Sequence, residues 1–139
     1  MTSFSTVVQQ EIYQALAANA SLVAETVGIF DDVPQPDDSG YYSDFPYVTI
    51  GEDVFSDMST DSELMSLVSI TIHTWSRYGG RKEIKRIQGL IYDTLNRATI
   101  VNQDYKFINI NEESAQSQME TDGKTRHGIQ TFRLILEEI

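Results

Sequence analysis

The 139-residue sequence contains no cysteine, which excludes disulfides, thiolate metal sites and cysteine nucleophiles. It has no basic N-terminal region ahead of an apolar run, so no signal peptide is expected. It also has no uninterrupted apolar stretch long enough to span a bilayer, so the chain is expected to be soluble where it is made, in the cytoplasm, with no membrane partner. Proline is scarce and uneven, because Pro34, Pro36 and Pro46 all fall within residues 31–46. Histidine is limited to His73 and His127. Neither has an acid at HExxH spacing, so neither reads as a metal ligand. His73 reads as a half-buried neighbour of Trp75, and His127 as the start of a strand.

What the sequence does contain is organised around residues 64–96. Val68, Ile70 and Ile72 alternate with Ser69, Thr71, His73 and Trp75, which predicts a strand with one buried face. After Tyr78-Gly79-Gly80 the period changes. Ile84, Ile87, Ile91 and Leu95, with Leu90 beside them, predict an amphipathic helix capped by Gly80, with Glu83 at its third position. A helix stripe buried on a sheet predicts an α+β domain in which a mostly antiparallel sheet packs against two main helices. At this length the whole chain, 1–139, is expected to be one domain that buries roughly two-thirds of its unfolded surface.

The other main helix is expected over residues 3–19, where Phe4, Val7, Val8, Ile12, Ala15 and Leu16 share a face and Ser3 or Ser5 caps the start. A short helix over 21–26, stopped by Gly28, follows, and Ile29 and Phe30 then lead outward. Residues 31–46 carry three prolines and five acids and read as a long acidic loop. Its length and its aromatics favour a binding segment, so Asp31, Asp32, Asp37, Asp38, Tyr41, Tyr42 and Phe45 are candidate partner contacts. Residues 47–51 predict a short strand. Residues 52–63 form a second acidic stretch, expected as a loop or flared hairpin. Two further strands are expected over 104–111, with Phe107 opposite Ile108 and Ile110, and over 128–137. The polar run 112–125 between them reads as a projecting ribbon turned by Asp122-Gly123. Trp75, Phe132 and Leu134 are expected to be largely buried.

Charge is distributed unevenly. Twelve acids and no base precede Arg77, giving −12, and ten bases against nine acids follow, giving +1. Arg77, Arg81, Lys82, Lys85 and Arg86 crowd the head of the central helix, where cations oppose the helix dipole. Either the cluster is a solvated basic face, or an external anion compensates it, the candidates being nucleic acid and the acidic segment of a second copy. General DNA binding is disfavoured, because the field of the whole molecule repels phosphate. No cofactor or catalytic site is indicated, since Gly79-Gly80-Arg81 matches neither a P-loop nor a dinucleotide fingerprint.

Four stretches carry a resemblance: IYQALAANASLVAETVGIFDDVP, FPYVTIGED, ITIHTWSRYGGRKEIKRIQGLIYDTL and DGKTRHGIQTFRLILEE. In order and spacing they resemble the tail completion (tail terminator, tail-to-head joining) proteins of long-tailed bacteriophages, prophages and gene-transfer particles. The resemblance implies a structural virion protein of the tail or neck, made in a bacterial host. It implies a homo-oligomeric ring, typically a hexamer, that caps the tail tube protein and meets the head connector or stopper, with DNA only as cargo in the lumen. It carries over no catalytic residue. The rival readings are another connector component such as an adaptor or stopper, a non-viral small-ligand or regulatory α+β domain, and an enzyme of unrecognised type.

Overall fold

The computed structural model describes residues 4–31 and 44–139. In chain order these form α1 (Phe4–Ala17), α2 (Ala20–Glu25), β1 (Ile29–Phe30), β2 (Tyr47–Asp57), β3 (Met65–Ser76), α3 (Lys82–Leu95), β4 (Tyr105–Met119) and β5 (Arg126–Glu138). The strands make one sheet in the order β1-β2-β3-β5-β4. It is antiparallel throughout except for the parallel β1–β2 pair. The expected α+β class is thus observed.

β3 lies at the centre of the sheet, and its residues alternate strictly between buried and half-buried. Val68, Ile70 and Ile72 point into a core completed by Val7, Val8, Ile12 and Leu16 of α1, Ile87, Ile91 and Leu95 of α3, and Phe132, Leu134 and Leu136 of β5. The helices cover this face only. Thr74 and Gln130 are buried on the same side, and Gln130 Nε2 donates to the Gln88 carbonyl of α3 at 3.0 Å. Gly128 permits the approach, since a Cβ there would lie 2.5 Å from the Gln88 amide nitrogen and 3.1 Å from Ile84.

Several expectations are corrected. Arg81, not Gly80, is the residue before α3, which places Glu83 second in the helix. The Glu83 carboxylate is engaged there by the Ser76 hydroxyl at 2.7 Å. Ser5 lies inside α1 and donates to Asp53 rather than capping, while Ser3 lies outside the described residues. α2 is capped by Asn19, whose side chain accepts from Leu22 N at 3.1 Å. Gly28 does not end that helix; a Cβ there would meet the Phe30 ring at 2.5 Å. Ile29 and Phe30 pair with Val48 and Thr49 instead of leading outward.

Three strand irregularities explain the remaining differences. β2 does not stop at Gly51: it shifts register between Ile50 and Asp53 and continues to Asp57, so only the end of the expected acidic loop is a connection. A shift between Phe107 and Asn109 makes Ile108 an extra residue. Phe107 and Ile110 therefore share the core side, and Ile108 is exposed. β4 passes another shift between Glu112 and Ser114 and pairs with β5 as far as Met119, so residues 112–119 are an edge strand rather than a projecting ribbon. The Asp122-Gly123 turn is present, with Gly123 at φ 73°. Trp75 is half-buried on the face opposite the helices, whereas Phe132 and Leu134 are fully buried.

The outer edge of β4 is engaged at several positions by Gln88 of α3 and by the residues that follow the helix. The Ile110 carbonyl accepts from Arg97 N at 2.7 Å, Glu112 N donates to the Asn96 side chain at 2.8 Å, and the Gln116 carbonyl accepts from Gln88 Nε2 at 3.0 Å. Lys106 forms a bridge with Val101. Arg97 adopts φ 59°, a left-handed backbone rarely used by a non-glycine residue.

Candidate functional site

The two ends of β3 differ in exposed charge. Acids gather at its start, with Lys106 opposite Glu137 among them. The exposed bases lie at its end, beside Glu25, Glu83, Glu120 and Asp122. At the start of β3 lie Asp57, the last residue of β2, and Asp61 and Glu63 of the β2–β3 connection. The end of β5 joins them, because Met65 is opposite Glu137 and Glu138 N donates to the Leu64 carbonyl at 2.8 Å. Asp104 lies at this end too, its carbonyl accepting from Ile139 N at 3.0 Å. The Ser59 hydroxyl and amide hold the Asp57 carboxyl below its ordinary value. The result is an acidic pole drawn from three separate parts of the chain.

The head of α3 and the β4–β5 turn lie at the other end, beyond Ser76 and Arg126. Arg81, Lys82 and Lys85 are exposed and form no salt bridge among the described residues. The other two expected cluster members have internal roles. Arg86 pairs with Glu25 of α2 at 2.8 Å. Arg77 donates through Nε to Thr125 at 3.0 Å, lies 3.9 Å from Asp122, and stacks over the Phe45 ring at 4.3 Å. Of the five basic residues, Arg81, Lys82 and Lys85 are thus exposed without a salt bridge among the described residues, Arg86 is exposed but paired, and Arg77 is half-buried.

The acidic loop candidates are placed only in part. Asp31 accepts from Gln9 Nε2 of α1 at 3.3 Å, and Phe45 packs on Tyr47 at 5.1 Å between ring centroids. Asp32, Asp37, Asp38, Tyr41 and Tyr42 lie outside the described residues. Within the β4–β5 turn, Asp122 accepts from the Thr125 hydroxyl and from the amides of Lys124 and Thr125. Led by the Thr125 hydroxyl, these donors lower its carboxyl to about 2.

A second constellation escaped the sequence reading. On the sheet face without helices, His73 Nε2 lies 3.1 Å from Glu52, His73 Nδ1 lies 2.5 Å from His127 Nε2, and His127 Nδ1 lies 2.8 Å from Glu120. Trp75 stacks on the His127 ring at 3.9 Å and 8°. Its indole N–H donates to the Thr49 hydroxyl at 3.3 Å. The available signal was parity: His73 and Trp75 alternate away from the core, and His127 stands opposite Trp75 once the β3–β5 register is known.

Among the described residues, no group of three or more His, Asp or Glu is arranged to hold a metal ion. No helix among them is long and apolar enough to cross a membrane. A hollow of about 550 Å³ between α1 and β1 is lined by Gln9, Gln10, Tyr13, Ile29, Phe30 and Asp31, among others. It gathers a single carboxylate.

Comparison with known proteins gives a consistent picture. The family model described as "Tail completion protein gp17" matches residues 10–137. The chain is 28% identical over 134 residues to the tail completion protein gp17 of Bacillus phage SPP1, covering 95% of this chain and 89% of that protein. In structure it is similar to a chain of the virion of a native gene transfer agent particle, with a TM-score of 0.82 at 22% identity, covering 97% of this chain and 99% of the other.

Proposed function

The chain belongs to the family of tail completion proteins, and from that premise we propose that it terminates the tail of a virion. Its copies join head to tail in a hexameric ring that caps the tail tube and meets the connector or stopper of the head. The whole chain, 1–139, acts as one structural domain of the tail or neck rather than as an enzyme.

The observation that carries this reading is the separation of exposed charge along β3. Twelve residues, Met65–Ser76, at about 3.3 Å each place the two poles roughly 35–40 Å apart. That is several Debye lengths at 0.1 M salt, where the screening distance is about 10 Å. Arg81, Lys82 and Lys85 gain little from the acidic pole of their own chain. The acidic pole of a neighbour can reach them, and a contact between two unlike patches generates a ring when its rotation closes. The net charge of −11 repels nucleic acid phosphate, which suits a channel that DNA crosses without being held.

Electron microscopy of particles made without this protein tests the proposal. Loose heads beside overlong tubes are the expected result. Tails of normal length lacking only their heads would instead assign the chain to the head side of the junction. Light scattering of the purified protein, alone and with tail tube protein, reports ring formation directly.

A further inference from the structure

The row Glu52, His73, His127 and Glu120 is unused by the assembly reading, and its hydrogens can be counted. The His73–Glu52 contact needs a proton on His73 Nε2, because a carboxylate can only accept. The His127–Glu120 contact needs one on His127 Nδ1 for the same reason. The contact between His73 Nδ1 and His127 Nε2 needs one more, on either nitrogen. All three contacts are satisfied by three protons on four ring nitrogens, which is one neutral imidazole and one imidazolium. With two protons, one contact sets lone pairs against each other. With four, two N–H groups face each other across 2.5 Å.

We propose that His73 and His127 together bind a single shared proton between Glu52 and Glu120, and that this proton clasps the β4–β5 turn to β2 and β3 over an intermediate pH window, opening on either side. The surroundings are built for it. Trp75 fixes the plane of the His127 ring from one face. Gly51 leaves room for His73, since a Cβ there would lie 2.5 Å from the ring carbon Cδ2. The two histidine side chains are 13% and 11% exposed, so water cannot readily replace the missing partner. Among the described residues, the charged groups in contact with the pair are Glu52 from β2 and Glu120 from the turn. From β4 the neutral Gln118 stands opposite His127, from β2 the neutral Thr49 stands opposite His73, and Arg77 is directed to Asp122 and Thr125. Burial, and then the charge of His73, hold His127 below its ordinary value against the pull of Glu120. The second proton therefore enters only in more acidic solution.

The inference is independent of the ring reading and is tested on the full chain in solution. Nitrogen-15 NMR of the two imidazoles across pH is expected to show two coupled steps, with three of the four ring nitrogens protonated between them. Glu120→Gln removes one of the two carboxylates, so the shared proton should bind about tenfold more weakly, moving its loss about one pH unit lower. Glu52→Gln, at the 73% exposed end, should move it less. Exchange of the Gly123 and Thr125 amides, corrected for intrinsic pH dependence, should be slowest between the two steps, with Ile70 and Ile72 unchanged. Independent single titrations with ordinary tautomer mixtures, or steps unmoved in Glu120→Gln, would overturn the proposal.

Discussion

Reversing the exposed basic patch separates assembly from folding. Arg81 and Lys85 are exposed at the head of α3, away from the buried stripe of Ile84, Ile87 and Ile91. In the Arg81→Glu/Lys85→Glu variant, acids replace cations at a helix N-terminus, a change worth about 0.3–1 kcal/mol each in favour of the helix. The monomer should be folded and at least as stable as the parent. At the intersubunit contact the sign is opposite. Each exposed pair is worth about 0.2–1 kcal/mol, and the reversal replaces two attractions by two repulsions of similar size. The loss is roughly 1–4 kcal/mol per contact, or about fivefold to several hundredfold in the contact equilibrium at 1.4 kcal/mol per tenfold. Parent assembly should weaken with salt, as the Debye length falls to about 3 Å at 1 M. Asp61→Lys/Glu63→Lys at the acidic pole should restore part of it. Tail capping by the double reversal at parental efficiency and physiological salt would refute the reasoning, and the patch would then be only a solvated helix end.

Two further outcomes concern the fold. Leu134, fully buried between β3 and the helices, should lose about 2–5 kcal/mol on Leu134→Ala in denaturant unfolding; a loss below about 0.5 kcal/mol would contradict the core described above. Asp122, whose folded value of about 2 lies below the ordinary 3.8, binds its proton more readily when unfolded. Its contribution is therefore present above about pH 4 and lost as pH falls toward about 2, so the thermal stabilities of parent and Asp122→Asn should differ at pH 6 and converge near pH 2.

The parts legible in the sequence are those where one period runs unbroken. β3 alternates over its whole length and α3 keeps its stripe, so the central unit and its buried face followed from spacing alone. β2 and β4 were harder, because a single extra residue at a bulge exchanges the two faces, making 52–57 look aperiodic and putting Ile108 on the wrong side of the argument. The far half of β4 is an edge strand with few apolar residues, so it had no alternation to show. Composition revealed the basic cluster but not its division, since Arg77 and Arg86 find Asp122 and Glu25 only in the folded chain. The histidine row needed the β3–β5 register, which joins residues 54 positions apart.

The attachment of Asn96, Arg97 and Gln88 to the outer edge of β4 bears on what the protein does before it meets any partner. An unpaired edge of this length is a template for uncontrolled sheet growth. With the groups at Lys106, Ile110, Glu112 and Gln116 already engaged, strand-on-strand polymerisation along this side would first have to peel the end of α3 from the sheet. The left-handed backbone of Arg97 aims its N–H at the Ile110 carbonyl, and that hydrogen bond holds the blocking residue in place. One edge of the sheet is thus blocked by the junction after α3.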